Sequence, residues 1–138
     1  MRIKSILEIS LAIALLSALS AFAQQNTGVS PAPKYNVSSE VNLKGTVDEV
    51  KEMPVGKETH VHLMLKTETE TVEVRLCPTV FLKDFDATFE KGEQIEVTGS
   101  RVKVDGKDVI LAREVVNGNS TVVLRDKTGA PVWTWMKK

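Results

Sequence analysis

Hydrophobic and polar residues alternate along most of the chain after residue 40, which is the pattern of half-buried β-strands. A first strand is predicted from Val41, where Leu43, Gly45 and Val47 share one face. Two further alternating segments follow, over residues 58–67 and 72–76. Short turns separate these segments, so we expect the first three strands to form a meander.

The hydrophobic period changes after the third strand. Pro78 suits the first turn of a helix, and Phe81, Phe85 and Phe89 recur at four-residue spacing. This spacing places three aromatic rings on one helical face. Because large aromatic side chains are usually buried, we predict that the helix plugs one end of a barrel. An aromatic binding stripe is the alternative interpretation.

The rest of the pattern predicts two long strands and a C-terminal hairpin. A fourth strand continues through a bulge at Thr98–Gly99–Ser100, and Asp105–Gly106 is a strong hairpin turn before a fifth strand over 108–116. Asn117–Gly118 predicts another hairpin turn. A last turn over 126–129 then precedes a predicted strand at 132–135.

Three strands, a helix and two more strands follow the order of an OB-fold. We therefore predict a mostly β protein: an OB-fold-like five-stranded Greek-key barrel with one short helix between strands 3 and 4 and an added C-terminal β-hairpin. An SH3-like barrel is the alternative, but it does not normally place a helix after the third strand. The barrel is assigned to residues 41–117, and the hairpin packing on it to 118–138.

The N-terminal residues have the pattern of a signal peptide. Arg2 and Lys4 precede an apolar run, and Ala21-Phe22-Ala23 offers small residues for cleavage. A membrane anchor needs about 20 apolar residues, which is longer than this run. We expect residues 1–23 to be removed, with no stable membrane insertion afterwards. The compartment is then the periplasm or the exterior. Residues 24–40 contain several Ser, Pro and Asn residues and little periodicity, so they are predicted to be a flexible tether.

Charge and aromatic content argue against a nucleic-acid surface. The chain has 18 basic and 18 acidic residues, and the acidic ones outnumber the basic ones between residues 43 and 76. Stacking on an aromatic side chain is worth about 1–3 kcal/mol per base, and residues 41–76 contain no aromatic residue. Weak single-stranded nucleic-acid binding is therefore only a second alternative function.

A possible metal site lies on the second strand. His60, His62 and Met64 share one face because side chains alternate along a strand. Imidazole and thioether ligands suit copper, so periplasmic copper binding is the first alternative function. Met53, on the other arm of the hairpin, contributes only if the fold brings it near. A short His-x-His motif is also common on ordinary strands, and no other cofactor is expected.

The sequence offers little for catalysis. Cys77 with His60 or His62 is the only formal pairing of nucleophile and base. The position of Cys77 at a strand end before Pro78 favours a packing role, so we expect no catalytic residue and no enzyme. Trp133 and Trp135 are predicted to cover an open end of the barrel. Their alternative role is an exposed partner surface.

Several segments together resemble one family of proteins. They include Val97–Val102, Asp105-Gly106-Lys107, Ile110–Val115, the Val61–Leu65 strand and the ending from Leu124 to Trp133. The chain resembles small exported bacterial OB-fold proteins of poorly defined function, often labelled as OB-fold or nucleic-acid-binding. The resemblance implies the barrel rather than an activity, since fold alone does not carry function. Cys77 stands where that family usually has Gly.

These observations lead to one expected function. We expect a non-catalytic exported OB-fold binding or interaction module of the bacterial envelope. Its ligand would be another envelope protein or a small ligand, held by the outer face of strands 1–3.

Overall fold

The computed structural model of the protein describes residues 32–136. The predicted signal peptide (1–23) and the first part of the predicted tether lie outside the described residues. The elements are β1 (Glu40–Val55), β2 (Glu58–Lys66), β3 (Thr71–Pro78), α1 (Thr79–Asp84), β4 (Gln94–Val104), β5 (Lys107–Asn117) and β6 (Ser120–Val123). Short 3-10 helices stand at Val37–Ser39 and Val132–Met136.

The long strand β1 pairs with two different strands of the barrel. Its first part pairs antiparallel with β4, and its second part pairs antiparallel with β2. The pairs β2–β3 and β4–β5 are also antiparallel, and a parallel pairing of β3 with β5 closes the barrel. β6 adds an antiparallel hairpin to β5. The predicted fold class is confirmed.

The core consists of the inward-facing residues of the alternating strands. Leu63, Leu65, Val74, Val97 and Ile110 are all completely buried. The predicted bulge in β4 is present, as a register shift between Thr98 and Gly99. It brings β4 so close to β5 that a Cβ on Gly99 would lie 2.3 Å from the Leu111 carbonyl oxygen.

The helix is shorter than its aromatic spacing predicted. Phe81 and Phe89 are buried, but the chain leaves the helix after Asp84 and Phe85 is 59% exposed. The Phe85 N–H donates to the Leu82 carbonyl at 3.2 Å, a three-residue bond that tightens and ends the helix. The prediction that all three rings share one buried face is therefore wrong for Phe85.

The end of the chain differs from the predicted last strand. Residues Val132–Met136 form a 3-10 helix, and Arg125 with Pro131 makes a single β-bridge. Pro131 has no N–H to continue a ladder. Val132 instead donates its N–H to the Leu124 carbonyl at 3.0 Å, which turns the chain back onto the barrel.

The last residues of the predicted tether contact the barrel. The Asn36 N–H donates to Ser100 Oγ at 3.0 Å, and Ser100 Oγ donates to the Asn36 carbonyl at 2.9 Å. Tyr35 donates its hydroxyl proton to Glu40, whose carboxylate also accepts two bonds from Arg113 on β5. The last residues before β1 are therefore held by long-range polar contacts.

Replacing Gly99 tests the close approach of β4 and β5. We expect Gly99→Ala to lower the free energy of unfolding by about 3 kcal/mol or more, because backbone on both strands must move. Gly106→Ala is the control, since its added Cβ meets nothing within 4 Å. The left-handed backbone at Gly106 costs that variant only about 1–2 kcal/mol. Urea unfolding of both variants measures the difference, and equal losses would contradict this account.

Candidate functional site

The outer face of β1, β2 and β3 carries the sequence-predicted ligands in cross-strand rows. Paired residues of antiparallel strands lie on the same face, so the register fixes which side chains are neighbours. The rows are Glu49–Met64–Glu73, Lys51–His62–Arg75 and Met53–His60–Pro78. His60, His62 and Met64 therefore do share a face, and Met53 stands directly opposite His60.

His62 is buried between charged neighbours. It is only 6% exposed, and its Nδ1 has no hydrogen-bond partner among the described residues. The nearest carboxylate oxygen, on Glu73, is 3.9 Å from that nitrogen. Burial lowers the pKa of His62; Glu73 opposes this effect, whereas Arg75, His60 and Lys51 add to it. The ring is therefore held in its neutral form.

His60 has different surroundings at the end of the same strand. Its Nε2 lies 3.3 Å from a Glu58 carboxylate oxygen. Its ring meets the Trp133 indole edge to face, with centroids 6.3 Å apart. Within residues 32–136, no group of three or more His, Cys, Asp or Glu side chains could hold a metal ion. A cation at His62 would also face Lys51 and Arg75, so copper binding by His60, His62 and Met64 stays a prediction.

A groove of about 660 Å³ lies beside this face, between β3 and the turn that joins β4 to β5. We call it the outer groove. No aromatic side chain lines it. Its walls combine basic and acidic side chains: Lys51, Arg75, Lys103 and Lys107 with Glu70, Glu73, Asp105 and Asp108.

Arg101 fixes one wall of the outer groove. Its guanidinium donates to Glu70 at 2.7 Å and to Asp108 at 3.1 Å, so it joins the residue before β3 to β5. The hydrogen bond from Arg101 holds the pKa of Glu70 below its usual range. Lys103 adds a 2.8 Å contact to Asp108. Ion pairs therefore hold the charged side chains of this wall in place.

Cys77 does not form the nucleophile–base pair considered from the sequence. It is completely buried and stands opposite Val61 in the β2–β3 ladder, on the inner face. His60 and His62 lie on the outer face. Burial raises the pKa of the Cys77 thiol to about 12, so it stays protonated at neutral pH.

Trp133 belongs to a cluster that joins both ends of the described chain. Its ring lies 6.3 Å from Phe81, and the Arg125 guanidinium stands 5.2 Å above its centre. The same guanidinium lies 5.5 Å from the Tyr35 ring centre. Trp133 is half-buried against the core, so much of its surface serves packing. The Trp135 side chain lies outside the described part of the structure.

Arg125 and Tyr35 are absent from the residues singled out in the sequence. Their contact joins positions 90 residues apart, and no local period connects them. The only sequence signal was the shared ending that contains Arg125 and Gly129. A Cβ on Gly129 would lie 2.3 Å from the Tyr35 ring, so this glycine is what allows the ring to approach.

We expect the folded protein to lose stability in mild acid because His62 is buried. Its folded-state pKa lies below the ordinary 6.5, so the unfolded chain binds the proton first as the pH falls through that value. The free energy of unfolding should therefore begin to fall as the pH drops toward about 6.5 and keep falling until the folded-state pKa is passed. His62→Gln should remove most of this fall, whereas His60→Gln, which keeps the buried ring, should retain it. Urea unfolding across this range measures the effect, and an unchanged fall in His62→Gln would contradict it.

Comparison with known proteins places the barrel in a family. No curated protein matches the chain. Among the solved structures that match is "Crystal structure of the ZRD-deleted mutant of TiaS in complex with agmatine", with 21% identity and a TM-score of 0.43. The match covers 69% of this chain and 26% of that chain.

No helix within residues 32–136 is long and apolar enough to cross a membrane.

The family match is carried by the barrel itself. The sequence model of the MamS/MamX magnetosome protein family matches residues 39–122, from the start of β1 into β6. This segment is more than half of the chain, and it contains every residue of the outer groove. The protein therefore belongs to the MamS/MamX magnetosome protein family.

Proposed function

We propose that the protein is a non-catalytic binding module, exported to the envelope or the magnetosome, that holds a partner protein in its outer groove. The observation that carries this proposal is the ordered charged wall of that groove, built by Arg101, Glu70 and Asp108. Ion pairs that hold side chains in place reduce the entropy lost when a partner binds.

The charges of the outer groove favour a protein partner over a nucleic acid. A polyanion gains affinity from clustered cations that displace its counterions. Here the cations of Lys51, Lys103 and Lys107 stand among carboxylates on the same walls, so repulsion offsets attraction. A protein surface can present both signs in a matching pattern, which gives specificity and correct orientation.

The chemistry of the buried groups supports a non-catalytic role. A nucleophile needs a base within hydrogen-bonding distance. Cys77 is protonated on the inner face, and His62 is a neutral ring covered on the outer face. Cys77 and His62 are therefore not exposed as a nucleophile and a base.

The proposed location rests on two independent supports. The family name connects related proteins with the magnetosome, and the N-terminal pattern of a charged start, an apolar run and small residues favours export. We propose that the partner is a protein of the same compartment. The resemblance to small exported OB-fold proteins agrees with this proposal and stays a prediction.

Crosslinking from the groove tests the proposed function. A photoreactive residue in place of Lys107, on the groove wall, should form one discrete protein adduct in the native cell envelope. The same residue in place of Thr121, exposed on β6, should not. Lys51→Glu/Lys103→Glu should reduce the adduct at position 107 about tenfold through lost charge complementarity.

The matched control is Lys83→Glu/Lys127→Glu, which makes the same charge change outside the groove. It should leave the adduct intact. Equal crosslinking from positions 107 and 121, or an adduct that contains nucleic acid, would contradict the proposal.

A further inference from the structure

The second part of β1 has one edge without a strand partner. Residues Glu49 to Val55 pair with β2 on one side, while the pairing of β1 with β4 ends at Thr46. After Thr46, the loop before β4 pairs with one more residue of β1. The Val47 N–H donates to the Glu93 carbonyl, and the Val47 carbonyl accepts from the Gly92 N–H, both at 2.8 Å. No described strand pairs with this edge of Glu49–Val55.

Pro54 shows which backbone groups face the unpaired edge. Proline has no N–H, so within a ladder its nitrogen lies on the side without a partner. The register between Glu49 and Val55 has no shift, and backbone groups alternate sides along a strand. Glu52 and Val50 therefore direct their N–H and C=O groups to the same side as Pro54. These groups form a template on which another strand can pair.

A groove of about 630 Å³ continues this edge. On one side it is lined by Asp48, Glu49 and Val50 of β1, and on the other by Phe89, Glu90 and Lys91 of the loop before β4. We call it the edge groove. Val50 is 38% exposed beside the buried Phe89, so the groove offers an apolar contact as well as backbone partners.

The charge of the edge groove selects the kind of strand that fits. The carboxylates of Asp48, Glu49 and Glu90 stand there with the ammonium of Lys91. Glu49 also meets Lys51 at 3.8 Å, so Asp48 and Glu90 carry the excess negative charge. Glu52 adds a further carboxylate along the edge. A second copy of this edge would bring another net-negative groove beside it, so like charges oppose pairing with a second copy. A segment rich in Lys or Arg meets complementary charge.

We propose that the unpaired edge of β1 binds an extended basic segment of a partner protein as an added β-strand. Main-chain hydrogen bonds to Val50 and Glu52 supply affinity. Alternate side chains supply selectivity: an apolar one meets Val50 and Phe89, and a basic one meets Asp48 and Glu90. This surface differs from the outer groove, so either proposal can fail while the other stands.

Binding of defined peptides to the folded domain tests the proposal. The probes are a short peptide of alternating lysine and valine and a matched peptide of alternating glutamate and valine. The lysine peptide should bind, shift the amide resonances of Asp48–Met53 and Phe89–Lys91, and slow hydrogen exchange at Val50 and Glu52. The glutamate peptide should do neither. Equal binding of both peptides, or shifts confined to the outer groove, would overturn the proposal.

Two pairs of variants distinguish the contribution of side-chain charge to binding from that of backbone hydrogen bonds. Asp48→Lys/Glu90→Lys should weaken binding of the lysine peptide about tenfold, and Glu68→Lys/Asp84→Lys, with the same charge change at exposed sites outside the edge groove, should not. Glu52→Pro removes an edge N–H and should weaken binding beyond Glu52→Gln, which removes only the charge. Thermal unfolding confirms that each variant is folded. Unchanged affinity in both test variants, or a dimer that protects the same edge, would contradict a basic partner segment.

Discussion

The barrel closes through a parallel pairing of only three residues on each strand, Glu73–Arg75 of β3 with Val109–Leu111 of β5. Parallel pairs are slightly weaker than antiparallel ones, so this seam needs support from side chains. Arg101 supplies it from β4, by bonding Glu70 before β3 and Asp108 on β5. The outer groove spans the same seam, so the ion pairs that bridge the seam also shape its charged wall.

Burial and register divide the reactive side chains between two faces of one sheet. The inner face takes the thiol of Cys77 into the core, whereas the outer face takes the imidazole of His62 under charged neighbours. Both groups are buried, whereas the charged side chains along the outer groove are held by ion pairs. On β1, Lys51 belongs to the outer groove, and Asp48–Val50 belong to the edge groove. One strand thus contributes to two separate surfaces.

Local patterns predicted the strands well because alternation is a property of a few adjacent residues. They also placed His60, His62 and Met64 on one face. They did not show that Met53 lies opposite His60, because that pairing depends on the exact position of the turn at Gly56 and Lys57. The exposure of Phe85 depends on where the helix ends, and the contact of Arg125 with Tyr35 depends on the tertiary fold. Long-range packing sets these features, and the spacing of hydrophobic residues along the sequence does not reveal it.

Amide hydrogen exchange in an Arg101→Met variant tests the central claim, that ion pairs across the seam hold the barrel closed and shape the groove. Methionine keeps the aliphatic bulk and removes the guanidinium. The account predicts faster exchange across Glu73–Arg75 and Val109–Leu111, while amides of the β1–β4 pairing keep wild-type protection. Unchanged exchange at the seam, or an equal increase throughout the barrel, would contradict it.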